Sequence, residues 1–302
     1  MNYRDGEKEK AERILRDVIR GEGGGIYGKK RYDFALKNTV LNLWDGIRED
    51  ALEYFKKYNI TWWDGGEDKT PTSLLHSSQV ACLNHLYWLR VRKDAALKVI
   101  QSLRPDIVDV EQVDEGYVEF EVTGADTHNY LGERSNNRGA NATAFDAIMV
   151  GKRSSGKNIL IAIEWKYTEK YGKEDLYKEV REKAYGPLLE RDDCPIMIRE
   201  KQNLYFEPFY QLMRQTLLAW KMVEAGEHGC DEYIHIHVIP EGNKELLKTT
   251  QKLPGDSLTE AWQGVLKEPE RYRKLDPQEL LNPVVGLPDT KSIVLYLEAR
   301  YW

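Results

Sequence analysis

Asn158-Ile159-Leu160-Ile161-Ala162-Ile163-Glu164-Trp165-Lys166-Tyr167 is the stretch on which the reading of this chain turns. Its apolar run reads as a buried strand, and a glutamate and a lysine stand two residues apart at its end. Side chains alternate along a strand, so Glu164 and Lys166 leave one face while Trp165 packs on the other. The preceding apolar run, Ala142 to Val150, carries one acid of its own, Asp146. An ionised carboxylate inside an apolar strand needs an opposite charge, a metal ion or the open end of the sheet.

Working outward, Tyr117 to Thr123 alternates with a period of two and supplies an earlier strand. Before it, Ser77 to about Val99 reads as one long helix, with Val80, Leu83, Leu86, Tyr87, Arg90 and Val91 setting the period and Thr72 or Ser73 as caps. After the Glu-x-Lys strand come a charged helical stretch, Lys173 to Tyr185, then a strong amphipathic helix, Phe209 to Glu224, then a strand, Glu232 to Ile239. Apart from the inserted charged helix the order is α-β-β-β-α-β, which predicts an α/β fold with a mixed sheet and helices against it. Residues 71–240 form the expected core. Helices over Glu7 to Arg20 and Asn38 to Tyr58 make residues 1–70 a helical N-terminal extension. Residues 241–302 are a C-terminal elaboration, where the alternation of Ile293, Leu295 and Leu297 predicts an edge strand.

Two carboxylates and a lysine on adjacent strands can hydrolyse a phosphodiester. Oxygen ligands from Asp146 and Glu164, with the Trp165 backbone carbonyl, suit Mg²⁺, which keeps several waters and bridges to phosphate; Mn²⁺ can substitute. The ion lowers the pKa of a bound water, and Lys166 orients or deprotonates that water or stabilises the scissile phosphate. Spacing alone favours an ion pair of Lys166 with Asp146 or Glu164 that merely ties two strands together, since structural ion pairs commonly mimic active sites. Glu67-Asp68-Lys69 and Asp289-Thr290-Lys291 share the spacing, in turn-like surroundings.

The arrangement of Asp146 on one strand and Glu164-Trp165-Lys166 on the next, after a helix and a first strand, resembles the PD-(D/E)XK nuclease superfamily. Leu74 to Asn84, Ala144 to Ala147, Ile163 to Glu169 and Tyr210 to Ala219 resemble a bacterial restriction-endonuclease group within it. The resemblance implies a restriction-endonuclease-like αβββαβ core, Asp146, Glu164 and Lys166 as the catalytic set, and a Mg²⁺-dependent DNA endonuclease of restriction or phage-defence type. Gln79 falls where many members carry a helical glutamate, and Gln211 lies on the second core helix, where a polar residue supports the site. A neutral Gln79 leaves a second metal site open. The competing readings are a non-catalytic nucleic-acid-binding module of the same fold and a nuclease for RNA or branched DNA.

Composition sets bounds on these readings. The chain has 302 residues, 41% hydrophobic and 31% charged, and a formal net charge of −6. That field opposes non-specific coating of nucleic acid, but an enzyme holding metal on carboxylates and gripping DNA through a restricted basic groove can be acidic overall. The apolar runs are far shorter than the ~20 residues of a membrane-spanning helix, and the charged N-terminus has no apolar signal core. Cys82, Cys194 and Cys230 form no CxxC pair, which fits a reducing, cytoplasmic setting. The loop from Asp126 to Asn141 offers Arg134 and Arg138 as DNA contacts, and the turn with Lys152, Arg153 and Lys157 offers a backbone contact. A homodimer is admitted as the assembled form. Gly23 to Gly28 matches GxGxxG, but it follows a helix, and Lys30 stands where a Walker loop needs Ser or Thr; it reads as a connector. His235-Ile236-His237 reads as a sheet-face pair without a third zinc ligand.

Overall fold

The computed structural model describes residues 2–65, 69–125, 128–133, 138 and 142–302. Helix α1 (Tyr3–Arg13) continues as a π-helical turn, Ile14–Ile19. The glycine-rich stretch after it is a small hairpin, β1 (Gly25–Tyr27) and β2 (Lys30–Tyr32), rather than a bare connector. Gly23 and Gly25 are required there, because a Cβ on either would lie 2.2 Å or less from the Asp33 or Leu36 carbonyl oxygen.

The helix expected over 38–58 is confined to α2 (Arg48–Lys57), after two 3-10 turns. The local backbone is committed elsewhere: the Asn42 amide donates to the Thr72 and Leu74 carbonyls, and the Trp44 N–H donates to Asn84 Oδ1. The long helix expected from Ser77 is likewise broken into α3 (Ser78–Leu86), capped by Ser77, and α4 (Lys93–Leu103). Between them a 3-10 turn turns Arg90 inward, where its guanidinium bonds the Val118 and Asp114 carbonyls.

Strand β3 (Ile107–Glu111), which the sequence reading missed, and β4 (Glu119–Val122) both pair antiparallel with β5 (Phe145–Arg153), at opposite ends of it. They behave as one first strand interrupted by a loop. β6 (Asn158–Trp165) pairs antiparallel with β5. The chain then runs through α5 (Glu179–Leu189), which starts later than the charge pattern suggested, and α6 (Phe209–Glu224). β7 (Cys230–Val238) returns parallel to β6. The C-terminal region supplies short helices α7 (Lys244–Leu247) and α8 (Leu258–Gln263), then β8 (Tyr272–Leu275) parallel to β7, then α9 (Pro277–Leu281), which opens on an Asp276 capping box.

The result is a mixed six-stranded sheet, in the order β3-β5-β6-β7-β8 with β4 also on β5, carrying the αβββαβ core. One face packs Ala147, Met149, Ile161, Ile163 and Trp165 against α2, α3, α4 and the C-terminal helices. The other packs Ile148, Val150, Leu160 and Ala162 against α5, α6 and α8. The segment expected as an edge strand is helix α10 (Lys291–Arg300). Ile293 and Leu297 are buried one turn apart while Leu295 is 53% exposed, so the apparent period of two was an i, i+4 stripe with an outward leucine between.

Candidate active site

Strand alternation places Glu164 and Lys166 on the α6 side of the sheet, and Trp165 on the other, as expected. The two charged side chains are 4% and 6% exposed. Lys166 Nζ lies 2.6 Å from Glu164 Oε1. Gln211, from the first turn of α6, closes a triangle: its Oε1 accepts from Lys166 Nζ at 2.7 Å and its Nε2 donates to Glu164 Oε1 at 2.7 Å. One turn further along α6, Gln215 Nε2 donates to Glu164 Oε2 and to the Ala144 carbonyl. Asp146, near the start of β5, accepts the Trp165 N–H at 2.6 Å on Oδ2. Lys166 thus takes Glu164 rather than Asp146 as its hydrogen-bonded partner.

A third carboxylate escaped the sequence reading. Glu121 is 3% exposed and has φ +54°, a left-handed conformation inside a strand. The ladder pairs Phe120 with Ala147 and Val122 with Phe145, so Glu121 falls opposite Asp146. Gln79, on α3, donates to Glu121 Oε1 at 2.6 Å and to the Thr61 carbonyl, while its own oxygen accepts the Trp63 N–H. The Trp63 indole reaches Glu121 Oε2 at 3.4 Å. The helical Gln79 thus holds a carboxylate supplied by the neighbouring strand.

Burial raises the Asp146 carboxyl well above its ordinary range, and repulsion from Glu164 and Glu121 adds to it. Burial likewise pushes Glu121 up to about 7, against the pull of its Gln79 and Trp63 hydrogen bonds. Burial by itself works to lower the Lys166 pKa, but Glu164, with help from Tyr171, Glu169 and Asp146, more than reverses it. These groups line a cleft of about 1110 Å³ between the α1 and hairpin side and the α5–α6 side; Glu133, Glu207, Tyr210, Arg181 and Arg214 also face it.

Three carboxylates against one lysine can ionise together only at a cost, as the raised Asp146 and Glu121 pKa values record, and a bound cation would offset that cost. Gln215 Oε1, on a fully buried side chain in the same cleft, meets no donor among the described residues. Hard oxygens, carboxylates that resist ionising together and an unmet acceptor fit a divalent cation of the Mg²⁺ or Mn²⁺ kind. As they stand, these carboxylates do not converge into a ready-made set of three ligands, and no grouping of three or more His, Cys, Asp or Glu side chains suited to a metal occurs among the described residues. His235 and His237 lie buried on β7, stacked with ring centroids 6.5 Å apart, and burial lowers both pKa values.

The cationic residues expected to meet DNA stand elsewhere. Arg134 lies outside the described residues. Arg138 is turned inward, bonded to Asp114, the Phe120 carbonyl and the Tyr54 hydroxyl. Arg153 pairs with Asp231 and Glu232, and Lys152 with Glu111. Both sit at the far end of β5 from Asp146, roughly 20 Å away at ~3.3 Å per residue, and neither lines the cleft. Local richness in basic residues was visible; the distant acids that absorb them were not.

Among the described residues no helix is long and apolar enough to cross a membrane. No curated protein and no solved structure matches the chain significantly. A family model, restriction endonuclease associating with ARP, matches residues 8–302. With nearly its whole length matched, and with an αβββαβ core behind that match, the chain belongs to this restriction-endonuclease family.

Proposed function

We propose that the chain is a Mg²⁺- or Mn²⁺-dependent endonuclease that hydrolyses DNA phosphodiester bonds in restriction or phage defence. The observation that carries this reading is the Glu164–Lys166–Gln211 triangle beside Asp146, buried at the floor of an open cleft. Asp146, Glu164 and the Trp165 carbonyl are the groups that would hold the ion, with Glu121 and Gln215 Oε1 as further oxygens in reach of the same cleft. When bound, the cation neutralises charge developing on the phosphate and lowers the pKa of a water.

The chain's own side chains do the positioning. Two of the three N–H donors of Lys166 Nζ are taken by Glu164 and Gln211, and the third is shared with the Tyr171 hydroxyl, the partner that an attacking water or a phosphate oxygen would replace. Gln211 and Gln215 fix both oxygens of Glu164, so that carboxylate presents its remaining lone pairs in one orientation. Gln79 and Trp63 do the same for Glu121. Only one such centre is found among the described residues, so cutting both strands calls for a second copy of the chain or two successive nicks. Three buried free cysteines accord with a cytoplasmic site of action.

Supercoiled plasmid incubated with purified protein, in Mg²⁺, in Mn²⁺ and in chelator, tests the reading. Nicked or linear product with either ion and none in chelator is expected. DNA bound but intact under every condition would favour a non-catalytic binding module, and cleavage of RNA alone would move the substrate class.

A further inference from the structure

With Arg138, Lys152 and Arg153 committed elsewhere, Arg181 and Arg214 are among the cationic side chains that line the cleft itself. Arg214 lies on α6 between Gln211 and Gln215, so it shares their face and their cleft. Its guanidinium is held mainly by stacking, 4.6 Å from the centroid of the Tyr210 ring. Arg181, from α5, stacks on the same ring at 4.9 Å. Tyr210 therefore carries two guanidinium groups on one wall of the cleft.

Neither cation has a carboxylate in hydrogen-bond contact among the described residues. Glu133, the nearest acid to Arg214, stands 3.8 Å away, and its oxygens already accept from the Thr143 N–H, the Thr143 hydroxyl and the Tyr185 hydroxyl. Arg214 Nη1 reaches only the Thr143 hydroxyl, at 3.3 Å, and its Nε meets no acceptor among the described residues. Arg181 gives one bond to the Leu176 carbonyl. A largely buried guanidinium leaves donors unmet at a cost, and a planar fork of such donors matches phosphate oxygens bidentately.

We propose that Arg214, seconded by Arg181 across Tyr210, is a phosphodiester-binding subsite that holds the nucleic-acid backbone beside the scissile bond. The ligand is a backbone phosphate of duplex DNA, and the subsite lies one helical turn from Gln211, which touches both Lys166 and Glu164. The inference rests on the nuclease reading but is tested without catalysis. A stacked arginine also suits a strand with unpaired bases, so single-stranded competitor is part of the test.

The experiment is duplex-oligonucleotide binding by fluorescence anisotropy, in chelator, across about 50 to 200 mM salt, for wild type, Arg214→Gln, Arg214→Lys and Arg181→Gln. Loss of one phosphate contact lowers the slope of log K against log salt by about 0.9. Arg214→Gln is expected to bind about tenfold or more weakly with that reduced slope; Arg214→Lys keeps the slope and loses part of the affinity. Arg181→Gln, at a more open position, is expected to show the same slope loss with a smaller affinity change, and decides the matter if Arg214→Gln does not fold. Inorganic phosphate should compete weakly in wild type and less in Arg214→Gln. Folded Arg214→Gln and Arg181→Gln with wild-type affinity and slope would overturn the subsite alone. Wild type that binds no DNA in this assay would overturn the nuclease reading with it, and tighter binding to single strands would replace duplex by single-stranded substrate at the subsite.

Discussion

Glu164→Gln and Asp146→Asn each replace a carboxylate of the same cluster by an amide, yet their hydrogen-bond partners predict opposite effects on stability in chelator. Both oxygens of Glu164 face donors only: Lys166 Nζ, Gln211 Nε2 and Gln215 Nε2. A glutamine would turn an NH₂ group towards one of them and strip the buried ammonium of its counter-charge, a break that costs about 3–5 kcal/mol. At about 2 °C per kcal/mol for a chain of this size, the midpoint should fall by about 6–10 °C. Asp146 is different, because its hydrogen bond comes from the Trp165 N–H, which an asparagine oxygen can accept as well. What the substitution removes is repulsion from Glu164 and Glu121. It also removes the cost of burying the Asp146 charge, which is the larger cause of its raised pKa, and losing the attraction of Lys166 returns part of the gain. A net gain of about 1–2 kcal/mol, or a rise of about 2–4 °C, is expected in chelator. Scanning calorimetry in chelator and then in Mn²⁺ reads both effects. An ion at a hundred times its dissociation constant adds about 2.7 kcal/mol to wild type, and Asp146→Asn should lose most of that gain. The reasoning fails if Asp146→Asn is as destabilised in chelator as Glu164→Gln, or if Mn²⁺ stabilises it as much as wild type.

Glu121 gives a pH signature in the metal-free protein. Its folded pKa, about 7, lies above its ordinary 4.5. The folded state thus favours the protonated form, and this stabilisation is complete below pH 4.5 and lost as pH rises through about 7. The contribution is on the order of 3 kcal/mol. Glu121→Gln should flatten the stability profile across that window, and urea melts at several pH values would show an unaltered slope if the assignment is wrong. Arg300→Met should lower the melting midpoint by about 6 °C, since Arg300 ties α10 to the Asn42 and Leu75 carbonyls, while leaving DNA affinity unchanged because Arg300 does not line the cleft. Ca²⁺ should support DNA binding with little cleavage, because its larger, looser coordination shell positions the attacking water poorly; cleavage in Ca²⁺ at the Mg²⁺ rate contradicts that geometry.

The parts of the site that were legible in the sequence share one property: a polar residue where the local pattern demands an apolar one. Asp146 and Glu164 interrupt buried strands, so each stood out without knowledge of the fold, whereas Gln211, in an otherwise apolar helix, was reached through the family resemblance. Glu121 did not, because Glu119 and Glu121 alternate with Val118, Phe120 and Val122 and read as the wet face of an ordinary strand. It is the register of this strand, which sets Glu121 opposite Asp146, that brings its carboxylate to the cleft, and no residue type announces that. Ile293, Leu295 and Leu297 failed for a related reason: over so short a stretch a period of two and an i, i+4 pair coincide, and burial of Ile293 and Leu297 against the C-terminal end of the core decides between them. The basic residues failed through long-range pairing. Arg153 meets Asp231 and Glu232 nearly eighty positions away, so its charge is absorbed by partners that only the parallel return of β7 brings near.

The most direct test of the central claim is cleavage of supercoiled plasmid at fixed Mg²⁺ by wild type, Asp146→Asn and Lys166→Ala, compared at equal folded fraction. The account requires wild type to nick the plasmid and each variant to lose cleavage by orders of magnitude while still binding DNA. Nicking by either folded variant at the wild-type rate would contradict it.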